Sequence, residues 1–195
     1  MKLPSPRYKG DISVEEALLS RRSVRDYKDE SLTVEDVSQI LWSAQGITAA
    51  SWGGRTVPSA GTTYPLEIYL VVGNVKDLDI GLYRYLYQSH EIEKITSRDI
   101  RRELATACWG QDFIAKAPIV IIIAVKYERT TEKYGRRGAR YVDNEVGHCG
   151  QNIHIQCEAL GLGTTVIGTF QDMLVVNSLK IKEEPLYLMP IGKKK

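Results

Sequence analysis

Three arginines stand within five residues near the beginning of the chain, in the run Arg21-Arg22-Ser23-Val24-Arg25. A guanidinium group offers parallel N–H donors that match the oxygens of a phosphate, and a serine hydroxyl can add one more donor. A second run, Pro58-Ser59-Ala60-Gly61-Thr62-Thr63-Tyr64-Pro65, consists mostly of small and hydroxyl residues that leave backbone amides accessible. Together, the two runs predict a bound cofactor that resembles a nucleotide and carries a phosphate.

The size and charge of the chain limit the classes of protein to consider. Its 195 residues, 43% of them apolar, suffice for one substantial core, and no repeat or linker divides them, so we expect a single domain over residues 1–195. A net charge of +2, with both signs interspersed, favours neither a nucleic-acid nor a membrane partner. The longest apolar run, Ile119–Val125, is far too short to cross a bilayer, so we expect neither secretion nor membrane insertion.

The cysteines and histidines argue against two other chemistries. Cys108, Cys149 and Cys157 are odd in number and lie in apolar or helical patterns, which is typical of reduced thiols and predicts a cytoplasmic protein. Apolar surroundings raise the pKa of a thiol, so cysteine catalysis is disfavoured. His148 and His154 point apart on a helix, so we expect no metal site.

Two capping patterns indicate where the first helices begin. Ser13 and Glu16 have the spacing of a capping box, which predicts a helix from about Val14 to Ser20. The end of that helix carries a partial negative charge, so the arginines that follow it are favourably placed. Thr33 should cap a second helix, whose apolar residues recur at helical spacing and line the core.

Apolar periodicity predicts strands and helices along the rest of the chain. The run Ile119–Val125 is apolar on both faces and rich in β-branched residues, as expected of a strand in the middle of a sheet. The other predicted elements are strands over Glu67–Val72, Tyr83–Tyr87, Thr164–Gly168 and Pro185–Ile191, and helices over Ser97–Ala107, Tyr141–Leu160 and Gln171–Leu179.

In two segments, the apolar residues show neither helical nor strand periodicity. Gly46–Thr63, rich in Gly, Ser, Thr and Ala, predicts a long irregular connection that is either functional or a mobile surface loop. Lys126–Arg140 is strongly charged and contains two glycines, which indicates either a solvated excursion or a lid. If either segment is functional, it should shape access to a bound substrate.

The helix predicted over Tyr141–Leu160 could serve two purposes. Gly147 and Gly150 leave part of its surface small, and Ile155 and Ala159 lie off its apolar stripe. Such a helix can pack on its own sheet and also approach a second subunit in a twofold dimer. A wholly intramolecular core helix fits the same spacing. The stripe itself consists of Val142, Val146, Cys149, Ile153, Cys157 and Leu160.

The order of the motifs resembles the nitroreductase-like family of FMN-dependent oxidoreductases over nearly the whole chain, and is most similar to its SagB-type, azoline oxidase-like subgroup. The resemblance implies an α+β fold with a mixed, mostly antiparallel central sheet flanked by helices. It also implies an obligate homodimer with flavin sites at the interface. The matching motifs are Arg21–Arg25, Pro58–Gly61, Glu158–Gly163 followed by Ile167–Phe170, and Pro190–Lys193.

The resemblance assigns roles at the phosphate end of the flavin. Arg21 and Ser23 match residues that hold the phosphate and the ribityl chain, and Arg22 matches a residue near the pyrimidine edge or the phosphate. Lys193 or Lys195 matches a terminal basic group on the phosphate, although a solubilising basic tail explains these lysines equally well. Arg25 completes this cationic group.

Other roles concern the flavin ring. Ile167 and Gly168 match the pair whose backbone amide faces flavin N5, and many relatives carry Glu in place of Ile167. Gln111 matches an amide side chain on the flavin carbonyl edge. The segment containing Pro58, Ser59, Ala60 and Gly61 matches one that the other subunit contributes to the same flavin.

The implied activity is ping-pong reduction of small organic acceptors, such as nitroaromatics or quinones, by NADH or NADPH. The flavin N5 carries the chemistry, so no catalytic triad is expected. Two alternatives stay open. One is a flavin-binding or carrier module without turnover of its own, and the other is SagB-type dehydrogenation of peptide azolines.

Overall fold

The computed structural model describes all residues, 1–195, and its core is a six-stranded sheet covered by helices on both faces. The strands are β1 Ile47–Ala49, β2 Gly54–Arg55, β3 Leu66–Val72, β4 Gly81–Leu86, β5 Glu91–Thr96, β6 Ile119–Val125, β7 Leu162–Thr164 and β8 Glu184–Lys193. The helices are α1 Val14–Ser20, α2 Val34–Gln45, α3 Arg101–Ala107, α4 Phe113–Lys116, α5 Glu128–Tyr134, α6 Arg137–Ala159 and α7 Asp172–Leu179.

The sheet has the order β5-β4-β3-β6-β8-β7, and every neighbouring pair is antiparallel. Strands β3 and β6 are buried along their whole length, with Leu70 opposite Ile121 in the register. The prediction that Ile119–Val125 lies in the middle of the sheet is confirmed. The predicted α+β fold with a mostly antiparallel sheet is confirmed as well.

Alternation along β3 and β6 divides the apolar residues between two cores. Leu70 and Ile121 face the core that α2 and α6 cover. Their neighbours Val71 and Ile122 face the second core, to which α3 and α7 contribute. Because both faces of the central strands are covered, uninterrupted apolar runs are the sequence that this position requires.

The capping box predicted at Ser13 and the cap predicted at Thr33 are both present, and the second is a capping box as well. The Ser13 hydroxyl accepts from the Glu16 amide at 3.1 Å, and the Glu16 carboxylate accepts from the Ser13 amide at 2.8 Å. Thr33 and Asp36 form the same reciprocal pair at the start of α2. Local side-chain chemistry therefore sets where these helices begin.

Several predicted boundaries are wrong. The helix expected from Ser97 begins at Arg101, because no hydroxyl caps it and the Asp99 carboxylate instead binds the Arg101 amide and guanidinium. The strand expected over Thr164–Gly168 is shifted to Leu162–Thr164, which pairs with the end of β8. Strand β5 was not predicted, because charged residues interrupt its alternation.

The two segments without clear period are more regular than expected. The segment over Gly46–Thr63 contains the β1–β2 ribbon and a 3-10 turn at Ala60–Thr62. The segment over Lys126–Arg140 contains α5 and the first turn of α6, which therefore starts four residues before the predicted Tyr141. None of the seven helices has both the length and the apolar character needed to cross a bilayer.

Candidate functional site

The segment with the clustered arginines docks against one edge of the sheet. After α1, Ser23 pairs with Thr164 of β7, and the Val24 amide donates to the Thr164 carbonyl at 2.9 Å. The Lys28 amide donates to the carbonyl of Lys193, at the end of β8, at 3.0 Å. The chain thus brings Arg21–Arg25 and its C-terminal lysines to the same place.

Two glycines allow this close docking. A Cβ atom at Gly163 would lie 2.6 Å from the Val24 side chain, and one at Gly192 would lie 2.9 Å from the ring of Tyr27. Real Cβ atoms do not approach other atoms so closely, so both positions need the absence of a side chain. The hydroxyl of Tyr27 lies 3.0 Å from the Pro190 carbonyl and fixes the segment further.

The basic side chains around this edge differ in whether the chain neutralises them. Lys193 pairs with Glu30 at 3.0 Å, and Lys195 pairs with Asp26 at 2.8 Å. The guanidinium of Arg22 donates to the carbonyls of Leu19 and Arg21 and so caps α1. The guanidinium groups of Arg21 and Arg25 have no hydrogen-bond or ion-pair partner within the chain, which leaves them available to an anion.

His154, on α6, lies close enough to Arg21 for the charge of that arginine to affect its pKa. Only 7% of its surface is exposed, and its side chain makes no hydrogen bond to another residue. Burial and, to a smaller extent, the charge of Arg21 lower the pKa of His154 to about 4, against the opposing charge of Glu158. The charge of Arg21 therefore reaches this part of α6.

The structure separates the roles of Ile167 and Gly168. Ile167 exchanges two backbone hydrogen bonds with Leu188, at 2.9 and 3.0 Å, and its side chain is buried. The amide of Gly168 has no partner within the chain, and the residue is exposed. A Cβ atom at Gly168 would lie 3.4 Å from the ring of Tyr187. Of the two residues, only Gly168 offers a backbone donor to a ligand.

Gln111 follows the tight turn that ends α3. Its side-chain nitrogen donates to the Cys108 carbonyl at 2.9 Å, which fixes the amide but leaves its oxygen without a partner. The neighbouring Ala107 carbonyl accepts from the Gln171 amide at 2.9 Å. The turn with Gln111 therefore packs beside the segment that runs from Gly168 into α7.

The segment with Pro58–Gly61 lies elsewhere. Lys133 of α5 donates to the Gly61 carbonyl at 3.2 Å, and the Ser59 hydroxyl is a neighbour of the Glu145 carboxyl on α6. Arg21, by contrast, is a neighbour of His154, about 13 Å further along α6 at 1.5 Å per residue. Within one chain, the structure does not bring Pro58–Gly61 together with the arginines.

Sequence reasoning missed Glu145 and Arg55. Glu145 is buried on α6, between Val142 and Cys149 of the apolar stripe. The sequence does carry a signal for Glu145, because this carboxyl residue lies at helical spacing among the apolar residues of the stripe. Arg55 gave no such signal, because its partly buried position depends on how the β1–β2 ribbon packs.

The cysteines behave as expected. All three are buried and unpaired. Burial raises the pKa of the Cys108 thiol to about 11 and raises those of Cys149 and Cys157 as well, which confirms the predicted direction. No group of three or more His, Cys, Asp or Glu side chains is placed to share a metal ion.

Among known proteins, three relatives illustrate the similarity. A protein of Methanocaldococcus jannaschii with the provisional name nitroreductase is 50% identical over 184 residues, covering 94% of this chain and 92% of that protein. The microcin B17-processing protein McbC of Escherichia coli is 22% identical over 157 residues, covering 78% of this chain and 58% of McbC. The FMN reductase (NADPH) of Bacillus subtilis is 19% identical over 188 residues, covering 90% of this chain and 61% of that enzyme.

Solved structures share the fold. A crystal structure of a provisionally named nitroreductase from Ralstonia eutropha has a TM-score of 0.87 at 26% identity, covering 100% of this chain and 89% of that one. A chain of the E. coli microcin synthetase complex McbBCD has a TM-score of 0.77 at 21% identity, covering 100% of this chain and 78% of that one. Together with the McbC match, it supports the predicted relation to the SagB-type subgroup. A family model described as the nitroreductase family matches residues 18–193, so the chain belongs to the nitroreductase family and is an oxidoreductase by that membership.

Proposed function

We propose that this protein is an FMN-dependent homodimer that reduces small organic acceptors, such as nitroaromatics or quinones, with NADH or NADPH in a ping-pong cycle. One observation carries the proposal. Arg21 and Arg25, whose guanidinium groups have no partner, flank the backbone that docks on β7 through Ser23 and Val24, and the free amide of Gly168 follows four residues after Thr164. A flavin nucleotide needs cationic groups for its phosphate and a hydrogen-bond donor for its ring. The two arginines and the Gly168 amide would supply these.

The donors present fit this cofactor. Arg21 and Arg25 would hold the phosphate, with the Ser23 hydroxyl on the phosphate or ribityl chain. The Gly168 amide would donate to N5, where the missing Cβ permits close approach, and the Gln111 side chain would contact the carbonyl edge. The flavin, when bound, supplies the redox chemistry. Ile167 brings no carboxylate, so the backbone alone would orient the ring at this point.

The separation of Pro58–Gly61 from the arginines supports a shared site. A twofold dimer can place this segment of one subunit beside the flavin held by the other. An apolar face of α1 is also left uncovered, with Leu18 and Leu19 exposed at 54% and 75%. Exposed apolar residues grouped on one helix are typical of a surface that another chain covers.

The test begins with the absorbance spectrum of the purified native protein. We expect a bound yellow flavin that NADH or NADPH bleaches without oxygen, and that an added quinone restores. Sedimentation should give a dimer. A colourless protein that refuses added FMN and sediments as single chains would overturn the proposal, and a flavin that stays yellow with both donors would indicate a carrier module.

Azoline dehydrogenation is a second candidate, favoured by the similarity to McbC and to the microcin synthetase complex. In that case the oxidised protein would remove two hydrogens from a peptide azoline. Mass spectrometry of a synthetic azoline peptide, incubated with the flavin-loaded protein, would detect the corresponding loss of mass. An unchanged peptide mass alongside rapid quinone reduction would favour the first candidate.

A further inference from the structure

Residues 58–64 form an exposed loop with a strained backbone, called the 58–64 loop below. Thr62 and Tyr64 have φ angles of 58° and 46°, in the left-handed region that β-branched and aromatic residues rarely adopt. Gly61 lies in the same region at 57°. Such residues persist only where surrounding contacts hold them, and they are frequent at sites that clamp a ligand. The contacts that hold this loop are therefore of functional interest.

Helix α5 supplies two of these contacts through neighbouring residues. Nη1 of Arg129 donates to the carbonyl of Tyr64 at 2.9 Å. The next residue, Thr130, is buried, and its hydroxyl lies 2.7 Å from that of Thr63. The two strongest restraints on the end of the loop thus come from one turn of α5.

The following turn of α5 holds the middle of the loop. Nζ of Lys133 donates to the Gly61 carbonyl at 3.2 Å. A Cβ atom at Gly61 would collide with the side chains of Lys133 and Tyr134, so the loop packs directly on the helix. Within the loop, the Tyr64 amide donates to the Ser59 hydroxyl at 2.9 Å. The position of Tyr64 therefore also affects Ser59.

Arg129 connects the loop to the central sheet. Its Nη2 donates to the carboxylate of Glu67, a buried residue of β3, at 2.6 Å. Arg84 of β4 donates to the same carboxylate at 2.8 Å, and both arginine side chains are 35% exposed. Only Arg129 also binds the loop. A planar guanidinium can hold two acceptors in fixed directions, which suits it to this bridging role.

We propose that Arg129 is a positioning residue, which links the 58–64 loop to the sheet and holds the loop in the shape that completes the flavin site of the other subunit. The inference rests on the proposed function. A loop that already has its binding shape loses no affinity to ordering, whereas a loosened loop lowers the affinity by the fraction of chains in the wrong shape.

The experiment compares FMN dissociation constants, measured by flavin fluorescence, for Arg129→Gln and Arg84→Gln. Both substitutions remove an ion pair with Glu67, but only the first removes a bond to the loop. We expect Arg129→Gln to bind FMN about three- to tenfold more weakly, the range of one hydrogen bond, and Arg84→Gln to bind it as the native protein does. Equal affinities of the two variants would overturn the inference.

A second pair of variants avoids any change of charge. Thr130→Val removes the hydroxyl that meets Thr63, whereas Thr131→Val removes one that donates to the Tyr127 carbonyl at 3.1 Å and does not touch the loop. Thr130→Val should weaken FMN binding, and Thr131→Val should not. The opposite ranking would count against α5 as the support of the loop.

Mixed dimers show which flavin the loop serves. One subunit carries Arg21→Gln and the other Arg129→Gln. If the loop serves the other subunit's flavin, each mixed dimer keeps one site with an intact Arg21 and an intact loop, so half of the sites should bind FMN with native affinity. A general loss of packing would not restore any site. Mixed dimers with no site of native affinity would overturn the inference.

Hydrogen exchange tests the link between Arg129 and the loop without any ligand. The amides of Thr62 and Tyr64, which donate to the carbonyl and the hydroxyl of Ser59, should exchange faster in Arg129→Gln than in Arg84→Gln. Equal exchange in the two variants would overturn the inference. Native protein that does not bind FMN would instead overturn the proposed function, so the two failures are distinguishable.

Discussion

Arg21 differs from most basic side chains around it because nothing in the chain neutralises it. We expect Arg21→Gln to weaken FMN binding by about ten- to a hundredfold, since a hydrogen bond to a charged group contributes about 1.5–3 kcal/mol. Riboflavin, which lacks the phosphate, should bind both proteins with similar affinity. Fluorescence titration with the two flavins makes the measurement.

The control is Lys195→Gln, at a lysine that already pairs with Asp26. Its FMN affinity should change less than that of Arg21→Gln. The opposite ranking would assign the phosphate to the C-terminal lysine and leave Arg21 without that role.

Glu145 should make stability depend on pH in an unusual direction. Its pKa is raised from 4.5 to about 7 in the folded chain, so between these values the folded state binds more protons than the unfolded state. Stability from this group is complete below pH 4.5 and is lost as pH rises through 7. Glu145→Gln should thus stabilise the flavin-free protein by about 2 kcal/mol at pH 8 and by little at pH 4.5. Urea unfolding at both values checks this, and an equal change at both would contradict it.

Sequence reasoning at this scale is most specific where a residue type has few uses. It pointed to the guanidinium groups of Arg21, Arg22 and Arg25. The structure leaves those of Arg21 and Arg25 without partners and uses that of Arg22 to cap α1, and their contact with a phosphate stays a prediction. Sequence reasoning could not foresee that Lys193 and Lys195 meet Glu30 and Asp26, because those pairs join opposite ends of the chain.

Among the elements, the docking of residues 23–28 on β7 depends on Gly163. Gly163→Ala would place a methyl group 2.6 Å from Val24 and push the segment away from the sheet. We expect a loss of stability of about 2 kcal/mol, as for overpacking elsewhere, together with weaker FMN binding. Thermal unfolding and flavin fluorescence report the two effects.

Gly10→Ala is the matched control, since a Cβ atom there has nothing within 4 Å. Its unfolding temperature and FMN affinity should match those of the native protein. A Gly163→Ala variant that behaves like this control would show that the segment can shift without consequence.

The elements best predicted from sequence are those fixed by local chemistry, such as the two capped helices α1 and α2. Strand β7 was displaced in the prediction because its position depends on pairing with β8, some thirty residues later. Helix α5 was overlooked because its charged residues carry no apolar period, and its partner is α6, against which it packs.

For the whole molecule, the uncovered face of α1 should be the place where two chains meet. Leu19→Glu would bury a charge in that contact, so we expect monomers in sedimentation and weakened FMN binding, because each site would lose the partner's Pro58–Gly61. Met173→Glu, at a residue exposed at 68% on α7, is the control and should remain dimeric. Monomers that still bind FMN as tightly as the native protein would separate the cofactor site from dimer formation.

The overall architecture followed from sequence to the extent that alternating patterns and motif order specify it. The uninterrupted apolar run of β6 predicted a sheet covered on both faces, and the order of the motifs predicted the family. The meeting of Arg55 with Gln45, Tyr64 and Tyr87 did not follow, since it joins side chains from four separate parts of the chain.

Because all three thiols are buried, the rate of their chemical modification can measure how often the chain unfolds. Alkylating reagents attack thiolates, and Cys149 and Cys157 lie on the buried face of α6, where hardly any thiolate exists at neutral pH. Labelling at these two positions must therefore wait for the chain to open globally. The rate at which iodoacetamide modifies them would therefore report on that opening.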